Sequence, residues 1–335
     1  MITIGQVYIL VMEVMLMFQS RLLFAIRSKL FKLLKLEPTT AQDYLARGLD
    51  ALRSDFYALA ITDFRHAIKL DPANAEAYTN RGLCYLAYQK KGLYRLAIAD
   101  FTKAIELDRK NLLAYEKRAL AYLRTRLYDQ ALADLTKIIR LGYQGPETYK
   151  NRGLAYLKQG QLDLALSDLN QAIVLDPQLG EAYLHRGTVY VHKGHHGLAN
   201  SDFNRAIEMD PCNAEAYLIR GAVSLKKDLY DLALADFSKA LELNPMNVVA
   251  YKNRAIIYRH KKAYAMMIAD LSHVIKLDDQ NAEAYNNRGV AYEKRGDENR
   301  ALDDYTKALE INPKLSVAKE NLTRAIVREF IQQAA

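Results

Sequence analysis

Apolar residues recur three and four positions apart along most of this chain, a helical beat, and the beat itself repeats every thirty-four residues from Ala41 onward. Written in rows, the repeat covers 41–74, 75–111, 112–145, 146–179, 180–213, 214–247, 248–281 and 282–315. The fourth position of every row is Tyr, from Tyr44 and Tyr78 to Tyr285. The eighth is Gly or Ala, as at Gly48, Gly82, Ala119 and Gly153, and the twentieth is usually Ala, as at Ala60, Ala131, Ala165 and Ala301. A large apolar residue such as Phe64, Phe203 or Phe237 stands at the twenty-fourth, and a small one such as Ala67, Ala172 or Ala240 at the twenty-seventh. Five rows then carry Pro: Pro72, Pro177, Pro211, Pro245 and Pro313. Each row therefore predicts a hairpin of two amphipathic helices. The small residues let the two backbones approach, and the Pro stops the second helix and turns the chain into the next row. One hairpin cannot bury its apolar face alone; stacked neighbours make a continuous core.

The string Ala75-Glu76-Ala77-Tyr78-Thr79-Asn80-Arg81-Gly82, followed by Ala97, Phe101 and Ala104, resembles the tetratricopeptide repeat, and the resemblance covers 275 residues in eight rows. It implies an all-α solenoid, a right-handed superhelix of helix-turn-helix repeats making about one turn. Residues 316–335 read as a C-terminal solvating helix with Val317, Leu322, Ile326 and Phe330 on its packing side. Three rows depart from the pattern. Row two inserts three residues near Tyr88–Lys91, which should lengthen one helix by almost a turn. Row three ends in Leu141-Gly142-Tyr143-Gln144-Gly145 without Pro, and row seven has Met267 for Ala and Asp279 for Pro; both predict locally re-angled packing.

Charge follows the same register. The seventh position is Arg in every row: Arg47, Arg81, Arg118, Arg152, Arg186, Arg220, Arg254 and Arg288. The twenty-third, counted past the insertion in row two, is Asp: Asp63, Asp100, Asp134, Asp168, Asp202, Asp236, Asp270 and Asp304. Both positions flank packed ones, and a partly buried charge needs a partner, so the structural reading is a ladder of Arg–carboxylate pairs between helices. The functional reading, a row of arginines facing a ligand, stands beside it. Paired, the two sets cancel, so they form no nucleic-acid patch.

The family resemblance implies a concave groove lined by the first helix of each row. There the ninth position supplies Leu49, Leu83, Leu120 and Leu154 in rows one to four, and rows seven and eight are more polar, with Arg259 and Glu293 at the twelfth. The thirteenth is basic in seven rows, among them Arg124, Lys158 and Lys226. An apolar floor with a basic edge fits a partner segment that is apolar with acidic residues. The competing reading packs the leucines between hairpins and leaves the basic residues solvated. Asn80, Asn151, Asn253 and Asn287 at the sixth position resemble the peptide-holding asparagine ladder of the repeat domain in O-linked N-acetylglucosamine transferase, although Ala46, Lys117, His185 and Ile219 interrupt it. No row has Asn at the ninth position, so the chaperone-type carboxylate clamp is rejected.

Composition narrows the rest. Hydrophobic residues are 50% and charged residues 26%, values of a folded chain, and the net charge of +8 favours acidic partners. The two cysteines, Cys84 and Cys212, give neither a disulfide framework nor a metal-ligand spacing and suit a reducing compartment. No phosphate loop, zinc-helix motif or nucleophile elbow is present, so the expectation is a protein without cofactor, metal or catalysis. His192, His195 and His196 read as a solvated turn before a metal site. Of 23 tyrosines, nineteen occupy the fourth, eleventh or seventeenth positions of the repeat, which argues against base stacking and nucleic acid.

Residues 1–40 lie outside the repeat. An apolar run over Ile2–Phe18 contains Glu13, and a basic amphipathic stretch follows to Leu36. Three readings are open for residues 2–36: a membrane anchor with the repeats on the cytoplasmic side, a helix on an anionic membrane surface, or a cap on row one. A start codon placed too early also fits. The expected function is a cytoplasmic, non-catalytic scaffold or adaptor that binds a peptide segment of a partner. The alternatives are a membrane-tethered assembly or trafficking factor, or the targeting subunit of an enzyme complex.

Overall fold

The computed structural model describes residues 38–88 and 91–334; the apolar and basic N-terminal segment at 2–36, with its three readings, lies outside them. Seventeen helices and no strand are found among the described residues. Row by row the helices are α1 (Ala41–Arg53) and α2 (Tyr57–Leu70), α3 (Ala75–Ala87) and α4 (Lys91–Leu107), α5 (Leu112–Arg124) and α6 (Tyr128–Arg140), and α7 (Pro146–Lys158) and α8 (Leu162–Leu175). Then follow α9 (Gly180–His192) and α10 (His196–Met209), α11 (Ala214–Lys226) and α12 (Tyr230–Leu243), α13 (Val248–His260) and α14 (Tyr264–Leu277), and α15 (Ala282–Lys294) and α16 (Glu298–Ile311). α17 (Ser316–Ala334) ends the series. The second helix of row two has 17 residues where most of its equivalents have 14, so the insertion extends that helix.

Local chemistry sets both ends of each hairpin. First helices start on a side-chain cap: Asn74, Asn111, Asn213, Asn247 and Asn281 each accept from the backbone N–H three residues on. Thr40 and Asp43 form a reciprocal capping box on α1. In row three, which lacks the Pro, Gly145 precedes a helix that opens on Pro146 instead. The bend between the helices needs a left-handed residue. Gly160, Gly194 and Gly296 fill it freely, whereas Asp55, Arg126, Asp228 and Lys262 adopt φ of 61°, 62°, 57° and 56°.

The chain divides into two compact units between Leu175 and Asp176. In the first, rows one to four, Leu45, Phe64, Ala77 and Cys84 share one core cluster, and Phe101, Tyr115, Leu135 and Ile138 another. In the second, rows five to eight and α17, Leu184, Phe203 and Val223 pack together, and Phe237, Tyr251, Ile257, Leu271 and Val274 form the largest cluster. Each cluster joins a hairpin to its neighbour, as stacking requires. Aromatic rings sit against the backbone of the facing helix: a Cβ on Gly187 would lie 2.6 Å from the Phe203 ring, and one on Gly289 2.8 Å from Tyr305. Where the eighth position is Ala119 or Ala255, the facing residue is the smaller Leu135 or Leu271.

The packing side of α17 differs from the expected one. Ala318, Asn321 and Ala325 are its buried residues, and Leu322 packs at the edge, whereas Val317, Ile326 and Phe330 are exposed. The reason is register. α17 follows the first-helix pattern of rows two to eight, in which the third and tenth positions are buried, and it buries its sixth, Asn321, as well. Asn321 Nδ2 donates to Asn286 Oδ1 at 2.9 Å. Glu293 accepts from Arg324 at 3.2 Å, from Arg328 at 3.1 Å and from the Tyr305 hydroxyl at 2.8 Å. Glu293, expected as a polar groove position, therefore clamps the last helix.

Candidate functional site

The paired charges come first, because they decide which cations remain for a ligand. In every row the Arg Nε and Nη2 donate to the two oxygens of the Asp in the same hairpin. Nη2–Oδ1 distances are 2.7 Å for Arg47–Asp63, 2.6 Å for Arg81–Asp100, 2.7 Å for Arg118–Asp134 and 2.8 Å for Arg152–Asp168. In the second unit they are 2.7, 2.6, 2.7 and 2.8 Å for Arg186–Asp202, Arg220–Asp236, Arg254–Asp270 and Arg288–Asp304. All eight carboxylates are buried. Each guanidinium also lies over the fourth-position Tyr of its row, at 5.4–5.7 Å from the ring centroid. Hydrogen bonding to Asp168 holds the Arg152 guanidinium above its ordinary range, and the same holds for Arg254 beside Asp270.

A further link was not visible in the sequence. Nη1 of four of these arginines reaches back to the twenty-fifth position of the preceding row: Arg118 to Thr102 Oγ1 at 3.0 Å, Arg220 to Asn204 Oδ1 at 2.7 Å, Arg254 to Ser238 Oγ at 3.1 Å and Arg288 to Ser272 Oγ at 3.0 Å. The eight arginines thus join the two helices of a hairpin, and these four also join neighbouring hairpins.

On the first-helix face, Leu49, Leu83, Leu120 and Leu154 are half-buried, and Leu49 and Leu83 pack against core clusters. Much of that apolar strip is consumed by packing. Asn80 donates to Glu76 O of its own helix at 2.9 Å; Asn151, Asn253 and Asn287 are half-buried. Arg124, Lys158 and Lys226 are exposed in the last turns of α5, α7 and α11. Opposite them, in first turns, stand exposed Glu76 and Glu147 in the first unit and Glu181, Glu215 and Glu283 in the second. The face thus has a basic edge and an acidic edge, each placed where the helix dipole favours it. Second-position glutamates were the signal for the acidic edge.

A cavity on this face lies in rows seven and eight. A cleft of about 150 Å³ lies between α13 and α15, floored by Ala255, Met267, Leu271 and Ala284. Its rim carries Lys252, Ile256, Arg259, Glu283 and Asn287. Lys252 Nζ bridges to Glu283 Oε2 at 2.9 Å, tying the two rows across one end. Row seven departs from the usual pattern at the floor, with Met267 where every other row has Ala at the twentieth position; its Leu271 at the twenty-fourth matches Leu135 and Leu169 of rows three and four. A cavity of this size accepts one apolar side chain, and exposed Arg259 stands beside it for a carboxylate.

His192 and His195 are exposed and His196 half-buried; His195, His196, Leu198 and Lys227 line a shallow depression. Among the described residues no group of three or more His, Cys, Asp and Glu is placed to hold a metal. No described helix is long and apolar enough to cross a membrane.

Models described as tetratricopeptide repeat match residues 146–179 and 282–315, and 86–146 and 184–247; a model described as TPR repeat matches 57–92. No curated protein matches the chain. Among solved structures, the APC/C hetero-tetramer Cut9–Hcn1 is similar at 19% identity and a TM-score of 0.59, over 83% of this chain and 55% of that one, so the present chain spans about half its length. PilF of Pseudomonas aeruginosa is similar at 17% identity and 0.57, over 65% of this chain and 98% of that one. The C-terminal part of a TPR repeat-containing protein from Cytophaga hutchinsonii is similar at 21% and 0.52, over 68% and 94%. At these identities the likeness concerns the fold.

Proposed function

The chain belongs to the tetratricopeptide repeat family, and from that premise we propose that it is a cytoplasmic, non-catalytic scaffold that holds a peptide segment of a partner protein on its first-helix face. Repeats of this family generally serve as non-catalytic scaffolds. The observation that carries the finer reading is the α13–α15 cleft. It has an apolar floor of one side chain's size, an exposed Ile256 at its mouth and Arg259 on its rim. The segment it fits has an apolar anchor with a carboxylate next to it. Arg124 and Lys158 in the first unit, and Lys226 in the second, offer further contacts to acidic residues and raise the encounter rate at low salt. The groove asparagines Asn80, Asn151, Asn253 and Asn287 serve as backbone contacts in this proposal, and Leu49, Leu83, Leu120 and Leu154 as its apolar support in the first unit.

A random peptide library panned on the full chain tests this. Enriched peptides should pair an apolar residue with Asp or Glu and should bind more weakly as salt rises. Ile256→Asp with Arg259→Glu should abolish that enrichment while circular dichroism stays unchanged. Peptides that still bind this variant, and lose affinity only with Arg124, Lys158 and Lys226 all changed to Glu, would move the anchor away from the cleft. Peptides indifferent to both variants would remove the first-helix face from the proposal.

A further inference from the structure

Helix α17 turns a large apolar surface outward. Ile326 is 51% exposed, Val327 52%, Phe330 73% and Ile331 61%. In register α17 is the first helix of a ninth row, with Leu322 at the seventh position and Thr323 at the eighth. Every other row has Arg at the seventh, bound to an Asp on its second helix, and Gly or Ala at the eighth, lying under a large side chain of that helix. Leu322 offers nothing to a buried Asp. Thr323 fills the space that Phe, Tyr or Leu occupies elsewhere, where even a Cβ on Gly289 would lie 2.8 Å from the Tyr305 ring. The face is therefore not shaped for a second helix of the repeat type. It calls for an apolar surface without charge.

We propose that this face pairs two copies of the chain, α17 against α17, about a two-fold axis near Ile326 and Val327. A two-fold contact needs a self-complementary patch, and an uncharged apolar strip is one. Of the charges on α17, Arg324 and Arg328 pair with Glu293 of their own chain, at 3.2 and 3.1 Å, and exposed Lys319 and Glu320 stand two turns before Ile326 and Val327 as adjacent opposite charges, so the strip itself brings no net charge to the axis. Area points the same way. The four exposed side chains leave roughly 450 Å² per copy; with the Leu322 and Thr323 margins a pair approaches the ~1,000 Å² of a small specific interface. The dimer is accordingly weak and concentration-dependent, with a dissociation constant of about 1–50 µM.

Sedimentation equilibrium of the full chain from about 1 to 200 µM spans that range. The average mass should rise from that of the 38.1 kDa monomer towards twice that value. Ile326→Glu with Phe330→Glu should hold it at the monomer throughout. A gain-of-function variant guards against mere fraying of the helix: Val327→Cys in a Cys212→Ser background should form a disulfide-linked dimer under mild oxidation, because the axis brings the two copies of position 327 together. A wild type that stays monomeric over the whole range overturns the proposal and leaves the face to a different protein. So does a glutamate variant that still dimerises, or a Val327→Cys chain that does not cross-link.

Discussion

Removing the carboxylate of Asp168 tests how much the Arg–Asp ladder contributes. The Asp168 side chain is 7% exposed and that of Arg152 17%; the pair is bonded at 2.6 Å through Nε and 2.8 Å through Nη2. Asp168→Ala deletes two charge-assisted bonds and strands a guanidinium between α7 and α8. Breaking a buried pair from one side costs about 3–5 kcal/mol. Two things reduce that here. Arg152 keeps some contact with water, and it keeps the Tyr149 and Tyr156 rings, at 5.7 and 5.9 Å from their centroids. The expected loss is therefore about 2–4 kcal/mol. Arg152→Met combined with Asp168→Ala should lose at least ~1 kcal/mol less than the sum of the two single changes, because the stranded charge is gone. Urea unfolding followed by circular dichroism measures the total. Exposure of Cys84, in α3 of the same unit, to a thiol reagent reports on the unit that carries the change. A loss below about 0.5 kcal/mol, or singles that simply add, would show that the pair is solvated and that the ladder reasoning is wrong.

Other outcomes follow from the same packing. Gly187→Ala drives a Cβ to 2.6 Å from the Phe203 ring and should cost about 1–3 kcal/mol; adding Phe203→Leu, as rows three and seven pair Ala with Leu, should restore more than half in thermal melts. Lys262→Gly relieves a φ of 56° and should stabilise by about 0.5–1 kcal/mol, so a lower melting temperature would count against the left-handed bend. Burial opposes ionisation of Glu293, but its bonds from Tyr305 and Arg324 outweigh it and hold the carboxyl below the ordinary 4.5. Its contribution is thus present above that pH and lost as pH falls through the lower folded value. Hydrogen exchange should show α17 losing protection there, and Glu293→Gln should make α17 protection independent of pH across that window. Burial pushes the Cys84 thiol up to about 12, so a maleimide should label exposed Cys212 in the native protein and reach Cys84 only on unfolding.

The hairpins were legible because a thirty-four-residue period repeats the same packing problem eight times. The Arg–Asp partners were legible for a similar reason: a charge recurring beside packed positions needs an opposite charge. What escaped depends on geometry finer than the period. The reach of Nη1 to Thr102 or Ser238 depends on the angle between hairpins, which no spacing fixes. Leu49 and Leu83 looked like a free strip because the ninth position borders both groove and core, and only the helix rotation decides how much of it is covered. The cleft in rows seven and eight has Met267 on its floor, a single change from Ala that reads by itself as a blemish in the repeat. On α17 the apolar residues outnumber the inward-facing ones, so hydrophobicity marked the wrong side; Ala318, Asn321 and Ala325 are too small or too polar to announce themselves.

The Nη1 link gives the repeat a standard coupling. From row two onward each row carries an Arg at its front, the seventh position, and a short hydroxyl or amide side chain at its back, the twenty-fifth, joined within a unit in pairs such as Ser238 to Arg254 and Ser272 to Arg288; row one has Arg65 at its twenty-fifth instead. A row with that front and back fits any neighbour built alike. Duplication or loss of a whole row then leaves both new junctions already satisfied, whereas a cut at any other period strands an arginine. Array length is therefore easy to change by recombination in steps of thirty-four residues and hard to change otherwise. Row two shows the tolerated exception: its three extra residues extend α4 at its N-terminal end, while its Thr102 still meets Arg118 at 3.0 Å.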